Sequence, residues 1–261
     1  YEIIKCDWSS DVCSSDLYKD PRYTYETNVM GTVNLLECVR LARQQGRAPR
    51  SVLNVTTDKV YHNNEWAWGY RENEPLDGFD PYSNSKSCSE LVTHSYKNSF
   101  FADGSVAIST ARAGNVIGGG DFANDRIIPD CVRAMAKGES IGVRNPYSTR
   151  PYQHVLEPLS GYLVLPEQQY AGNPAAAGGF NFGPEPGNTV PVGELAAGML
   201  RHWGSGSLNI SGDPLKLHEA GTLKLDISKA RRYLGWQPRW DFDKTLFHTV
   251  DWYRRVLCHG E

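Results

Sequence analysis

Three kinds of proton-handling group stand at spacings that let them share one site. Thr57-Asp58-Lys59 supplies a hydroxyl, a carboxyl and an amine in succession, and Tyr82 is followed four residues later by Lys86. Residues i and i+4 of a helix lie on one face, so the phenol and the ammonium can approach each other. A neighbouring positive charge favours phenolate and lowers a tyrosine pKa toward working pH, which makes Tyr82 a candidate general base. Taken alone, Tyr-x-x-x-Lys also describes a tyrosine that simply packs. Joined to a strand ending in Thr-Asp-Lys, it describes a catalytic centre.

The elements that must position these groups are legible in the pattern around them. The run 51–57 (Ser-Val-Leu-Asn-Val-Thr-Thr) is short and β-branched, as a buried strand is. Asp80-Pro81 opens a helix with proline at its first position, and that helix carries Tyr82 and runs past Tyr96. Ahead of the strand, 21–45 reads as an amphipathic helix with Val29, Val33 and Leu36 on one face. Downstream, 106–111 reads as a strand and 127–137, 157–169, 192–203 and 242–257 as helices. Helix and strand alternating in this order imply an α/β fold with a parallel, doubly wound, Rossmann-like sheet and right-handed crossovers. We assign 18–145 to that domain and 146–261 to a smaller lobe interleaved with the end of the sheet.

A sheet that binds a dinucleotide needs a glycine-rich turn after its first strand. Neither Gly-x-Gly-x-x-Gly nor Gly-x-x-Gly-x-x-Gly occurs in the sequence. Gly118-Gly119-Gly120 follows a later strand and reads as a mobile loop beside a ligand. The expectation is that the opening βαβ units are missing, a loss approaching ~90 residues at ~30 per unit. Residues 1–17 fit that expectation. They have no helical or strand period and resemble a translated sequencing adapter, so they are set aside as a non-native leader.

Composition narrows the function classes. Apolar residues make up 40% of the chain and charged residues 22%, with no stretch able to span a bilayer. The net charge of -3 gives no reason to expect nucleic acid or an anionic membrane. Six cysteines show no Cys-x-x-Cys or other metal-ligand spacing, so no metal is expected and a reducing, cytoplasmic setting is. The aromatic and basic segment 231–240 could offer a stacking surface to single strands, but its Gly and Pro favour a helix end packed on the core.

Four motifs carry a resemblance. Thr57-Asp58-Lys59-Val60-Tyr61, Tyr82-x-x-x-Lys86, the run from Arg112 to Asp121 through Asn115, and Asn181-Phe182-Gly183-Pro184 resemble extended short-chain dehydrogenases/reductases, the NAD-dependent epimerase/dehydratase family. Gly69-Tyr70-Arg71-Glu72, the run Thr149 to Pro158 and His218-Glu219-Ala220 resemble its 4,6-dehydratase branch acting on CDP-glucose. Tyr152 stands where that pattern has tryptophan.

The resemblance implies a lyase using NAD on a nucleotide-sugar substrate. Tyr82 would deprotonate the glucose 4-hydroxyl, Thr57 would hydrogen-bond that hydroxyl, and Lys86 would hold the nicotinamide ribose. Asp58 would protonate the departing 6-hydroxyl. Lys59 stands where related dTDP-glucose enzymes carry a glutamate base for C5. Asn115, Arg126, Arg144, Arg150 and His218 would hold the diphosphate and nucleoside. A homo-oligomer paired through the helices at 21–45 and 81–101 is expected. Two alternatives stay open: a 4-epimerase or decarboxylase of the same superfamily, and a catalytically dead fragment.

Overall fold

The computed structural model describes residues 20–124, 126–143, 145–210 and 223–259. Residues 1–17, expected to be a leader, lie outside them. Asp20 opens the first helix: its carboxylate accepts the Tyr23 amide at 3.0 Å and proline takes the first helical position. α1 (Pro21–Tyr25) widens through a π-helical turn (Glu26–Met30) into α2 (Gly31–Gln44), one rod with a local change of pitch. Strand β1 (Ser51–Val55) follows. It is two residues shorter than the pattern predicts, because Thr57 caps a 3-10 turn over Asp58–Val60. α3 (Pro81–Phe100) is capped by Asp80, which accepts the Ser83 amide at 3.0 Å and the Ser83 hydroxyl at 2.6 Å.

The chain continues through β2 (Ala107–Ala113), β3 (Val116–Ile117), α4 (Ile127–Lys137), β4 (Ser140–Val143), β5 (Thr149–Pro151) and β6 (Gln153–His154). Then come α5 (Leu156–Tyr170), β7 (Gly178–Phe182), β8 (Thr189–Pro191), α6 (Val192–Trp203), β9 (Ser207–Ile210), α7 (Ser228–Leu234) and α8 (Phe242–Arg254). The central sheet has the order β1-β2-β7, all parallel. Its two faces follow the strand alternation. Val52 and Ile108 pack with Leu36, Val39 and Phe101 under α2 and α3, while Leu53 and Ala111 pack with Leu165, Phe180, Ala230 and Trp236 under α5 and α7. Helices on both faces of a parallel sheet make this a doubly wound α/β architecture.

The face that α3 turns inward is not apolar. Ser83, Ser85, Ser87, Ser89 and Thr93 are buried there. Each hydroxyl is bonded: Ser87 to the Val60 carbonyl at 2.8 Å, Ser89 and Thr93 to the Asn54 amide at 2.9 Å each, and Ser85 to the Asn28 amide at 2.9 Å. Small hydroxyl residues let the helix approach the sheet closely without orphaning polar atoms.

A second core gathers Ile128, Val132, Met135, Ile141, Leu195, Met199, Leu246 and Tyr253. Around it lie the ribbons β4-β9 (parallel), β5-β8 (antiparallel) and β3-β6 (parallel). The glycine run differs from the expected mobile loop. A Cβ on Gly119 would lie 2.2 Å from the Trp252 ring, and one on Gly118 would lie 2.9 Å from Val155. These glycines are needed because α8 and the start of α5 press against the backbone there. In the 231–240 segment, Trp236 is buried against Phe182 and Trp240 stacks on His248, so these aromatics serve packing. Among the described residues no helix is long and apolar enough to cross a membrane.

Candidate active site

The C-terminal ends of β1, β2 and β7 converge on one point, where ligands bind in open α/β sheets. Thr57 and Asp58 leave β1 there. The Thr57 hydroxyl donates to Asp58 Oδ1 at 3.1 Å and accepts the Lys59 amide at 3.4 Å. The Tyr82 phenol lies within electrostatic reach of both Thr57 and Asp58. Asp58 is 1% exposed, and its Oδ2 has no hydrogen-bond partner among the described residues. Beside it, Gly114 leaves β2 so close that a Cβ would sit 2.3 Å from that oxygen. Only glycine fits there.

The electrostatics follow from this burial. Desolvation pushes the Asp58 carboxyl above the usual carboxylate range, against the pull of Lys59, the Thr57 hydroxyl and Arg150. Burial likewise raises the Tyr82 phenol, and the Asp58 carboxylate raises it further, while Thr57 and Arg126 act the other way. The two groups are therefore coupled. A proton on Asp58 removes the charge that opposes phenolate at Tyr82.

The expected lowering of the phenol by Lys86 is corrected here. The i, i+4 spacing holds, but Lys86 Nζ reaches toward the Val55 carbonyl at 3.5 Å, and its electrostatic partner is Glu90, not Tyr82. Burial lowers the Lys86 pKa and Glu90 raises it. Lys59 is exposed in the 3-10 turn that follows Thr57.

Of the substrate residues predicted, Arg126 and Arg150 lie within electrostatic reach of the acid-base pair, on Tyr82 and Asp58 respectively. Arg126 also pairs with Asp121 at 3.1 Å, and Arg150 donates to the Thr149 carbonyl at 3.0 Å. Asn115 directly follows Gly114, and its Nδ2 is buried without a hydrogen-bond partner among the described residues. Arg144 and His218 lie outside the described residues.

Behind the site runs a polar network that the motifs only half announced. Glu90 of α3 and Arg112 of β2 form a bidentate ion pair at 2.8 and 2.9 Å. Thr56 donates to Glu90 at 2.5 Å, and Arg112 donates on to the Tyr61 hydroxyl at 2.7 Å. Arg112 belongs to a quoted motif, and Glu90 stands one further helical turn beyond Lys86, a usable signal. Tyr162 of α5 feels both Tyr82 and Asp58, and with burial they push its phenol above its ordinary range. Nothing in the sequence marked it.

A parallel sheet wound on both sides, with a Tyr/Lys helix beside a Thr-Asp strand tip, defines an extended short-chain dehydrogenase/reductase of the epimerase/dehydratase type. The chain belongs to the GDP-mannose 4,6 dehydratase family, which matches residues 10–249. It is 48% identical over 91% of its length to a CDP-glucose 4,6-dehydratase of Salmonella typhimurium, covering 66% of that protein. It is 30% identical to a dTDP-glucose 4,6-dehydratase of Streptomyces antibioticus over 87% of the chain and 63% of the relative. The chain thus spans just under two thirds of these relatives. The solved dTDP-glucose 4,6-dehydratase of Bacillus anthracis, in complex with NAD, has the same fold at a TM-score of 0.73 and 22% identity, over 88% of this chain and 68% of that one. A Bacillus cereus UDP-glucuronic acid 4-epimerase, also with NAD, matches at 0.73 and 18% identity, over 88% of this chain and 68% of its own.

Proposed function

We propose that this chain carries the catalytic half of a nucleotide-sugar 4,6-dehydratase that converts CDP-glucose to CDP-4-keto-6-deoxyglucose. The observation that carries the reading is the buried Asp58 carboxyl, bonded to Thr57 and within electrostatic reach of the Tyr82 phenol, which sets an acid beside a base. A 4-epimerase needs only the base. A dehydratase also needs an acid to expel the 6-hydroxyl, and burial favours the protonated form of the Asp58 carboxyl.

In this reading Tyr82, as phenolate, takes the proton of the 4-hydroxyl, and Thr57 orients that oxygen. Asp58 donates its proton to the leaving 6-hydroxyl. Lys59, once substrate covers it, serves the C5 proton. Arg126, Arg150 and Asn115 hold the diphosphate end, in the lobe built from residues 146–261 and the strand exits. Arg144 and His218 remain assigned there by resemblance alone.

NAD supplies the transient hydride acceptor when bound. Lys86 and Tyr82 fit its nicotinamide-ribose end, since among the described residues the half-buried ammonium makes one long hydrogen bond, to the Val55 carbonyl at 3.5 Å, and keeps donors to spare. The sequence offers no glycine turn for the pyrophosphate, so we expect the chain alone to hold NAD weakly in equilibrium dialysis. A homo-oligomer through α1–α2 and α3 is supported by the exposed Tyr23, Met30, Leu35 and Leu91 along them.

The test joins this chain to the part of the Salmonella relative that it does not span and supplies NAD with CDP-, dTDP-, UDP- or GDP-glucose. Alkaline ultraviolet absorbance of a 4-keto-6-deoxy sugar, with CDP-glucose preferred, is the expected result. A C4 epimer without ketone would assign the epimerase reading instead.

A further inference from the structure

Gln153 lies inside the run Thr149 to Pro158 but has no role assigned by it. It is 1% exposed, on the short strand β6. Its amide Nε2 donates twice, to the Gly114 carbonyl at 3.3 Å and to the Phe182 carbonyl at 2.8 Å. Those two carbonyls stand at the ends of β2 and β7. The ladder between these strands closes at Ala113↔Phe182, so Gly114 is the first residue beyond it. The amide bridges the two strands where their own pairing stops. Both its hydrogens are spent, which fixes its rotamer and leaves Oε1 buried without a donor among the described residues.

The residue so held is Gly114, whose Cα is the wall against Asp58 Oδ2. We propose that Gln153 is a positioning residue for the proton donor: by tying Gly114 to the end of β7 it presses the β2 exit onto Asp58 and keeps water from Oδ2. Gln153 does not touch the reacting atoms and acts through Gly114. Two features separate this from ordinary core packing. A polar side chain occupies a buried position that an aliphatic residue would fill at lower cost. Gln153 and Asp58 each keep a buried side-chain oxygen without a hydrogen-bond partner among the described residues, and Gly114 is the residue that meets both side chains. The raised pKa of Asp58, whose largest cause is burial, agrees with a wall held in place.

The proposal rests on Asp58 being the acid, but its test needs no turnover. Aspartate carboxyl carbons of the chain are labelled with 13C, Asp58 is assigned with Asp58→Asn, and its midpoint is followed by NMR. Gln153→Met keeps the length and removes both donors. The midpoint of Asp58 is expected to fall by about one pH unit or more, a tenfold change in protonation ratio, while the other aspartates stay put. An unchanged Asp58 midpoint in the folded variant overturns the proposal and leaves the dehydratase reading standing. Should the methionine variant not fold, Gln153→Asn, which withdraws the amide by one methylene, is read in the same way. In the completed enzyme Gln153→Met should lower kcat and shift its pH profile with KM kept; a rise in KM alone would count against a positioning role.

Discussion

Replacing Glu90 by glutamine tests whether the network behind the site is held as the geometry says. Both carboxylate oxygens are engaged by Arg112, at 2.8 and 2.9 Å, and the side chains are 3% and 5% exposed. Removing one partner of a buried pair leaves the other charge uncompensated, at a cost of about 3–5 kcal/mol. Glutamine keeps the volume and one acceptor, and Arg112 retains the Tyr61 hydroxyl at 2.7 Å and the Glu72 carbonyl at 3.2 Å. The loss should therefore fall near the lower end, about 3 kcal/mol. That is a large part of the ~5–15 kcal/mol typical of a domain. Urea denaturation should show the midpoint moving with the slope unchanged. The paired replacement Glu90→Leu with Arg112→Met should recover most of the loss, because no lone charge stays buried. A single-variant loss below about 1 kcal/mol, the range of exposed pairs, would refute the buried pair and with it the support for Thr56 and the strand tip.

Three further outcomes are expected. In the completed enzyme, Tyr82→Phe should cut turnover about 10²–10⁴-fold with binding little changed, and near-normal kcat would mean another group is the base. Asp58 has a folded pKa raised by burial, so its contribution to stability is complete below the ordinary carboxylate range and is lost as pH rises through the folded value. Asp58→Asn should consequently be more stable than the parent in urea at pH 8, the gap closing below about pH 4; a less stable variant at pH 8 would contradict this. Burial and the neighbouring His248 push His154 down to about 4. A base lowered in the fold keeps its full contribution above the ordinary histidine value and loses it as pH falls toward the folded one. His154→Phe should therefore remove about 3 kcal/mol of the acid-side loss between pH 6.5 and 4, and an unaltered acid limb in urea titrations would show His154 to be solvated.

How much of this was legible depended on what each residue leaves in a pattern. β1, α3 and α4 are found where β-branched runs, the Asp-Pro opening and apolar periodicity place them, because those signals are local. The inward face of α3 left no such trace, since serines and a threonine do there what leucines usually do. The meeting of Thr57, Asp58 and Tyr82 was foreseeable from motif spacing. The direction of Lys86 was not, because it depends on a strand carbonyl and on Glu90, which only the fold brings near. Gly114 and Gln153 lie inside recognised motifs, yet their roles arise from contacts with residues 56 and 29 or more positions away. Tyr162 reaches the site only because α5 crosses the sheet.

The outer border of β1 has a practical consequence. Among the described residues nothing pairs with that side of the strand, and Val55 at its tip is 44% exposed. Five uncharged residues with an open row of backbone donors and acceptors form a template onto which another extended segment can dock. Arg50 just ahead of the strand, and Asp58 and Lys59 just after it, are the nearest charges, and they guard only its ends. A short extended peptide offered to that border is the direct way to find out whether it takes up another strand.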